Sequence, residues 1–322
     1  MTRKIYAIGV LILVLGTSLT AHAVIIGSGS GTQNTTQPAG VAGWFNVGRI
    51  GLGGGVYLGN GWVLTANHLG NIASHPSITF YPTDQFPNGS VSYALDVSTQ
   101  VQLHNPDQSA TDLILVRTLT DPGLPALSLP SATPAPGTAL TIVGFGVNRG
   151  RAVQYDAAWH EVASGGVQSG FLLNPLDTNT PGGFAKRWGT SKTSTFPDTN
   201  VAEIAGVNGT FTNVFTAPFL APVSPNDSTA IGVSGDSGGA VFSTSSPNTL
   251  LGIILYQDYL NVPAGQPYDA NNGIGSVIFG NGLDAGNLAA YSGQIQAIVS
   301  TPEPSTALLL GCGIALMARR RR

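Results

Sequence analysis

A serine flanked by glycines carries the most specific chemical signal in the sequence. Ser237 lies in the run Gly-Asp-Ser-Gly-Gly at 235–239. Glycines permit positive φ angles, and such a tight turn can expose a serine hydroxyl while backbone N–H groups point at a developing oxyanion. The apolar run Ala240–Phe242 follows directly and predicts a strand. The pattern therefore predicts a nucleophilic serine on a turn that leads into a strand.

Two further residues have the chemistry and the setting to assist such a serine. His68 ends the run Leu64–His68, where a strand end can hold a general base in a fixed position. Asp112 opens the apolar run Leu113–Val116, and a buried carboxylate there is costly unless it is hydrogen-bonded. His68, Asp112 and Ser237 are therefore the candidate catalytic residues. The other histidines of the body lie in polar stretches without such a setting: His75, His104 and His160.

Short strands separated by tight turns must position these residues. The 322 residues include 43 glycines and 21 prolines, which interrupt helices, while 42% of the residues are hydrophobic, enough for a packed core. The clearest element is a hairpin, in which an Asn-Gly turn at 60–61 joins Gly54–Leu58 to Trp62–Ala66. Helix is predicted only at Ser292–Val299 and Leu283–Ala290. Further strands are predicted at Ser77–Tyr81, Tyr93–Val101, Leu113–Arg117, Ala139–Gly144, Ala240–Phe242, Leu250–Tyr256 and near Gly273–Phe279.

The chain order of the three candidates, histidine then aspartate then serine, resembles that of the trypsin/chymotrypsin-like serine peptidases. The resemblance covers nearly all of residues 24–299. Within it, Thr141–Gly146 resembles a strand of the family's second barrel, and Leu251–Tyr256 resembles the strand whose edge pairs with substrate. The resemblance implies an all-β fold of two antiparallel β-barrels of the chymotrypsin-like type, about 24–135 and 136–300, with the active site between them.

The same resemblance implies a role for each residue of the site. Ser237 would be the nucleophile and His68 the general base and then the general acid, while Asp112 would orient the imidazole. The backbone N–H groups of Gly235 and Ser237 would form the oxyanion hole. Asp236 would pair with the free N-terminal amine of the mature chain. This chemistry requires no metal and no organic cofactor.

Four residues are expected to bind substrate by the same resemblance. Ile231, six positions before the nucleophile, would form the floor of the primary pocket, and an uncharged floor argues against cleavage after lysine or arginine. Leu255, Tyr256 and Gln257 belong to the strand beside the substrate, and the last two would flank the pocket entrance. The predicted specificity is therefore for small or medium apolar side chains. Leu255 is a departure from the family pattern, because a serine that bonds the triad carboxylate often stands there.

Both ends of the chain resemble targeting segments. Met1–Ala23 has a basic start, an apolar run and small residues before a cleavage point, so it predicts a secretory signal peptide. Cleavage there leaves Val24 first, and the start Val-Ile-Ile-Gly resembles that of activated family members. Residues 301–322 contain Pro-Glu-Pro, a short apolar stretch and four arginines, which resembles the PEP-CTERM sorting tag. The alternative is a plain membrane anchor, which differs only in that the tail persists. The tag implies export through the inner membrane, an exosortase-type sorting enzyme as partner, and a final place in the cell envelope or outside the cell.

The composition excludes several classes of function. Only 9% of the residues are charged and the formal net charge is −3, which argues against a nucleic-acid binder that works by neutralising phosphates. The one cysteine, Cys312, lies in the predicted tail, so the sequence of the body has neither a disulfide nor a cysteine nucleophile. The expected partner of the body is a protein or peptide substrate.

The predicted function is a secreted serine endopeptidase that works through an acyl-enzyme. One alternative is a catalytically silent envelope or biofilm-matrix binding protein on the same fold, and the complete set of triad residue types argues against it. Another is an esterase of the α/β-hydrolase type, which shares the Gly-x-Ser-x-Gly run but needs a helix after the serine and a histidine later in the chain. A predicted strand follows Ser237, and no histidine follows it in the sequence. The esterase is therefore rejected.

Overall fold

The computed structural model describes most of the body of the chain. The described residues are 24–31, 33–70, 72–81, 89–174, 185–194, 201–203, 210–258 and 275–300. The predicted signal peptide and the predicted C-terminal tag therefore lie outside the described residues.

Strands are the main regular structure of the described residues, which confirms the prediction of a mostly β protein. Short 3₁₀ helices occur at Ala42–Asn46, Asn67–Leu69 and Ile72–Ser74, and an α-helix, α1, at Leu288–Val299. The strands are β1 (Ile25–Ile26), β2 (Val47–Ile50), β3 (Gly53–Gly59), β4 (Trp62–Ala66), β5 (Ser77–Phe80), β6 (Val91–His104), β7 (Ala110–Thr118), β8 (Ala139–Gly144), β9 (Asn148–Tyr155), β10 (Gln168–Asn174), β11 (Arg187–Lys192), β12 (Val201–Glu203), β13 (Phe211–Pro218), β14 (Ala230–Ile231), β15 (Ala240–Ser243), β16 (Leu250–Asp258), β17 (Ser276–Ile278) and β18 (Gly282–Asn287).

Six strands of the first half close into an antiparallel barrel in the order β2-β3-β4-β7-β6-β5. Its clearest part is the predicted hairpin of β3 and β4, whose turn holds Asn60 and Gly61 at φ angles of 52° and 77°. Asparagine and glycine are the residues that adopt such angles at least cost, so the local sequence specifies this turn. One closed antiparallel barrel is therefore confirmed, and its strands lie within residues 47–118.

The described strands of the second half form open sheets. A seven-stranded sheet has the order β11-β8-β15-β16-β18-β13-β12, and a three-stranded sheet has the order β17-β10-β9. The N-terminal strand β1 pairs with β14, which brings Ile25 beside Ile231. Residues 25 and 26 thus pack in the second half, although their sequence range falls with the first predicted barrel. Because the pairing of the described strands does not close a second barrel, that barrel stays a prediction.

The helix near the C-terminus begins later than its sequence pattern suggested. The helix predicted at Ser292–Val299 is confirmed, but residues 283–287 of the predicted helix Leu283–Ala290 belong to strand β18. This part of the prediction was wrong because β18 pairs with both β13 and β16, and that pairing overrides the local pattern. Asn287 ends the strand and caps the helix, since its side chain accepts a hydrogen bond from the N–H of Ala289. No helix among the described residues is long and apolar enough to cross a membrane.

One hydrophobic cluster joins the two halves. Strands β4 and β7 of the barrel, strands β8 and β15 of the second half and helix α1 all contribute to it. Because this cluster is buried, the core fixes strand β7, which carries Asp112, and strands β4 and β15, which border His68 and Ser237. Its members include Leu64, Leu113, Val143, Phe242 and Tyr291.

Candidate active site

The candidate nucleophile lies on a tight turn between strands β14 and β15. Gly235 and Gly238 have φ angles of 88° and 80°, which a residue with a side chain adopts only under strain. The N–H of Gly239 donates to the carbonyl of Asp236 at 2.8 Å and closes the turn around Ser237. The glycines therefore adopt the positive φ angles that the sequence predicted for a tight turn at the serine.

Strand β3 of the first barrel touches this turn directly. The N–H of Gly54 donates to the carbonyl of Ser237 at 2.7 Å. A Cβ atom on Gly54 would lie 2.9 Å from the backbone nitrogen of Gly239, and a Cβ atom on Gly238 would clash with the carbonyl oxygen of Gly54. Two backbones therefore approach so closely that only glycine fits on either side. The motif in the sequence identified Gly238, whereas nothing in the hairpin marked Gly54 as part of the site.

His68 lies in the 3₁₀ helix that follows strand β4 and points its ring at the serine. Its Nε2 atom is 2.7 Å from the Oγ atom of Ser237. The His68 side chain is 22% exposed, so it is reachable from solvent while most of its ring is packed. The imidazole is thus within reach of the proton that a general base must remove from the serine hydroxyl.

Asp112 lies behind His68 in strand β7. Its Oδ2 atom is 2.5 Å from Nδ1 of His68, and its Oδ1 atom accepts the backbone N–H of His68 at 2.7 Å. The Asp112 side chain is fully buried. Within the described residues, His68 supplies both hydrogen bonds that the carboxylate accepts, through its ring and through its backbone. The two bonds hold the imidazole with Nε2 turned toward Ser237.

The backbone N–H groups of Gly235 and Ser237 are available as donors beside the serine hydroxyl. Neither group has an acceptor among the described residues, whereas the N–H of Asp236 between them donates to the carbonyl of Val233 at 2.8 Å. Gly235 has a positive φ angle, and turns that contain such residues can gather backbone N–H groups into a concavity that binds anions. The turn can therefore offer two hydrogen bonds to an oxyanion.

Asp236 turns its carboxylate away from the serine and into the second half. The carboxylate is fully buried and accepts the N–H groups of Gly146 at 2.6 Å and Val233 at 2.9 Å. The backbone nitrogen of Val24 lies 3.4 Å from Oδ1. Burial raises the pKa of Asp236 to about 7, and the backbone hydrogen bonds oppose that rise. The predicted partner of this carboxylate, the nitrogen of residue 24, is therefore beside it.

The segment that begins at Val24 is held by an arginine that the sequence did not single out. The guanidinium of Arg149 donates to the carbonyl oxygens of Ile26 at 2.6 Å and Ser28 at 2.9 Å, and it also bonds the carbonyl of Gly29. Val24 itself has a φ angle of 40°, which is strained for a β-branched residue. Its position next to Asp236 is therefore maintained by contacts further along the segment.

The four predicted substrate-binding residues lie in different surroundings. Ile231 is fully buried in strand β14, where it belongs to the hydrophobic core of the second half. Leu255 is buried at a bulge of β16 and offers no hydrogen bond to the triad carboxylate. Tyr256 is 41% exposed and Gln257 is half-buried. Of the four side chains only Tyr256 is exposed, because Ile231 and Leu255 are buried and the Nε2 atom of Gln257 is buried as well.

Two side chains that the sequence did not identify fill the space next to Ile231. A Cβ atom on Gly232 would lie 3.1 Å from Cγ2 of Ile254 and 3.1 Å from Cδ1 of Leu283. Ile254 precedes Leu255 in β16, and Leu283 lies in β18. Leu283 was not identified from the sequence, because the pattern of Leu283–Ala290 predicted a helix. Apolar side chains of the protein itself therefore occupy the volume behind the turn.

The arrangement can pass a proton from Ser237 through His68 while Asp112 holds the ring. Within the part of the chain that the structure describes, no group of three or more histidine, cysteine, aspartate or glutamate side chains is placed to hold a metal ion. No protein-family model matches the chain, and no curated protein is significantly similar to it. The functional assignment therefore rests on the geometry of these residues.

Proposed function

We propose that the protein is a serine endopeptidase that cleaves peptide bonds through an acyl-enzyme on Ser237. The observation that carries the proposal is a continuous chain of short contacts. The Oγ atom of Ser237 lies 2.7 Å from Nε2 of His68, and Nδ1 of His68 lies 2.5 Å from the buried carboxylate of Asp112. These are the distances at which a hydroxyl can be activated by an oriented base.

The reaction follows from this geometry in two stages. Ser237 Oγ attacks the carbonyl carbon of the peptide while His68 Nε2 takes its proton, and the N–H groups of Gly235 and Ser237 stabilise the oxyanion. The protonated imidazole then gives that proton to the leaving amine, and the acyl group stays on Ser237. Water, activated by the same nitrogen, hydrolyses the ester and restores the serine. Asp112 remains ionised throughout and stabilises the imidazolium.

The finer fold assignment belongs to the same proposal. The closed barrel of β2 to β7 would be the first barrel of a chymotrypsin-like pair, and the sheets of the second half would form the other. Two features support this: His68 and Asp112 come from the closed barrel, whereas Ser237 comes from the second half. The site then lies between the halves, as in the family that the triad order resembles.

Removal of the signal peptide would also complete the site. A cut after Ala23 turns the backbone nitrogen of Val24 into an ammonium group at 3.4 Å from the Asp236 carboxylate. The cut also removes the preceding peptide unit that makes the φ angle of Val24 strained. Export and activation would therefore be one step, with no further propeptide. The exported enzyme would then be sorted to the envelope or released through its tail, residues 301–322.

The proposed substrates are proteins cut after small or medium apolar residues. The apolar packing of Ile254 and Leu283 against Gly232 supports a shallow primary site. Ile231 lies in the same packed core and brings no charge that could balance a lysine or arginine side chain.

Labelling with a fluorophosphonate tests the proposal directly. The protein exported from a bacterial host should be labelled at a single serine and should hydrolyse casein. Ser237→Ala and His68→Ala should abolish both properties, while Ser234→Ala, which alters an exposed serine three positions earlier, should keep the label. Labelling of the Ser237→Ala protein would rule out the assignment, and a folded protein that neither labels nor hydrolyses would favour the silent binding protein.

A further inference from the structure

The backbone N–H of Asp112 has an unusual acceptor. Strand β7 pairs with β6 on one side, but the register shifts between Gln102 and His104, opposite Asp112. This bulge takes the N–H of Asp112 out of the ladder, and it donates instead to the Oγ atom of Thr212 at 2.8 Å. Both residues are fully buried. A buried N–H needs such a partner, because water cannot replace it there.

The acceptor comes from the other half of the molecule. Asp112 lies in the closed barrel, whereas Thr212 lies in β13 of the seven-stranded sheet, which also contains β15 next to Ser237. His68 and Asp112 must keep a fixed position relative to Ser237, yet they are carried by different sheets. The bond between Asp112 and Thr212 connects these sheets at the residue that orients the imidazole.

The position of Thr212 is itself fixed by a polar network at the start of β13. The next residue, Asn213, donates its backbone N–H to the hydroxyl of Tyr291 in α1 at 2.7 Å. That hydroxyl donates to Oδ1 of Asn105 at 2.7 Å, and the side chain of Asn287 donates to Oδ1 of Asn213 at 2.8 Å. These hydrogen bonds fix the backbone next to Thr212, so the acceptor of the Asp112 N–H lies in a rigid part of the structure rather than in a loop.

We propose that Thr212 is a positioning residue of the active site, which holds Asp112 so that His68 stays aligned with Ser237. The inference rests on the proposed peptidase function. Thr212 does not contact substrate and transfers no proton. Its hydroxyl oxygen keeps the backbone of Asp112 in place, and the carboxylate of Asp112 in turn keeps the imidazole in place.

The test compares two buried threonines that each accept one backbone N–H of β7. Thr212→Val keeps the shape but removes the acceptor for Asp112, and Thr212→Ser keeps the acceptor. Thr111→Val is the matched control, because Thr111 is also fully buried and its Oγ atom accepts the N–H of Leu113 at 3.2 Å and donates to Leu103, both within the first barrel. Any general effect of a lost buried hydroxyl appears in both valine variants.

The expected result is a loss of kcat that is specific to Thr212. Thr212→Val should lower kcat by roughly 10- to 100-fold and leave KM within about twofold of the native value. A small displacement of a catalytic group slows the chemical step but does not weaken substrate binding. Thr212→Ser should restore kcat to within about threefold of the native protein, and Thr111→Val should stay within the same range. Equal kcat values for the two valine variants would overturn the inference.

A readout that needs no turnover separates this inference from the proposed function. The proton between Nδ1 of His68 and Asp112 should give a low-field NMR signal in the native protein and in Thr111→Val, and the signal should be shifted or lost in Thr212→Val. An unchanged signal in Thr212→Val contradicts the inference even if the protein is no peptidase. A native protein that shows the signal but is neither labelled by the fluorophosphonate nor able to hydrolyse casein contradicts the proposed function alone.

Thr212→Cys replaces Thr212→Val if the valine variant does not fold, because a thiol is a weaker acceptor of similar size. A kcat of the Thr212→Cys protein equal to that of the Thr212→Ser protein would then contradict the inference.

Discussion

Two fully buried aspartates, one in each half, show how differently a buried carboxylate can be stabilised. Asp112 in the closed barrel accepts both of its hydrogen bonds from His68, and that partner is present as soon as the chain folds. Within the described part of the chain, Asp236 in the second half accepts hydrogen bonds only from backbone N–H groups, and burial raises its pKa to about 7. Asp112 therefore has its partner in the chain as synthesised. Among the described residues Asp236 has no cationic partner, and under the proposed maturation a cut after Ala23 would create one.

Removing the charge of Asp112 should have the largest effect. Asp112→Asn should lower kcat by about 10⁴-fold, because a neutral amide no longer fixes the imidazole tautomer or stabilises the imidazolium. Steady-state kinetics on a peptide amide measures it. Asp107→Asn, which alters an exposed aspartate in the connection between β6 and β7, is the control and should leave kcat within about twofold. A kcat of the Asp112→Asn protein within tenfold of the native value would place the catalytic carboxylate elsewhere.

An extra residue before Val24 should have the next largest effect. A threonine inserted after Ala23 moves the new ammonium group away from Asp236, and loss of a buried ion pair costs about 3–5 kcal/mol. Activity should therefore fall by at least about 100-fold if the pairing assembles the site. The insertion should have little further effect in an Asp236→Asn background, because the two changes remove the same interaction. Fully additive losses in the double variant would show that the pairing does not exist.

The pH dependence of stability should distinguish the uncut chain from the cut chain. In the uncut chain the pKa of Asp236 rises from 3.8 unfolded to about 7 folded, so the folded state binds the extra proton between these values. The free energy of unfolding should therefore fall as pH rises from about 4 to about 7, by up to about 4 kcal/mol, and then level off. Denaturant unfolding of the uncut chain and its Asp236→Asn variant isolates this contribution. In the cut chain the free energy of unfolding should fall much less over this pH range, because the ammonium group favours the ionised carboxylate. An equal dependence of the free energy of unfolding on pH in both chains would contradict the pairing.

Shortening Leu283 should have the smallest effect and should change specificity alone. Leu283→Ala opens space beside Gly232, so kcat/KM for cleavage after larger apolar residues should rise relative to kcat/KM for cleavage after alanine. The difference in activation free energy between the two should change by about 1–3 kcal/mol, as measured with a peptide library. Leu251→Ala, which shortens another leucine of the same hydrophobic cluster, is the matched control. An identical profile for both variants would show that Leu283 does not limit the primary site.

Local signals in the sequence predicted the three candidate catalytic residues. The Asn-Gly turn, the Gly-Asp-Ser-Gly-Gly run and the apolar strand after Asp112 each act over a few residues, and the structure brings His68, Asp112 and Ser237 together within hydrogen-bonding distance. Each of these signals depends on backbone angles or burial that a short stretch dictates by itself.

Features that depend on pairing between distant segments were not predictable from the sequence. Strand β18 carries Leu283, and it is a strand because β13 and β16 flank it. Strands β9 to β13 lie in a stretch rich in glycine, asparagine and threonine whose alternation is too weak to mark strands. The close approach of Gly54 to Gly238 and the bond from Asp112 to Thr212 join residues far apart in the chain, so no local pattern records them.

In the proposed reaction Ser237 forms a covalent acyl intermediate with the help of His68. Rapid mixing of the exported protein with an activated peptide ester, followed by acid quenching and mass spectrometry of the proteolysed protein, measures it most directly. The expected result is an acyl group on the fragment that contains Ser237, formed in a burst of up to one equivalent and absent from Ser237→Ala and His68→Ala. An acyl group on another residue, or hydrolysis by Ser237→Ala at the native rate, would contradict the claim.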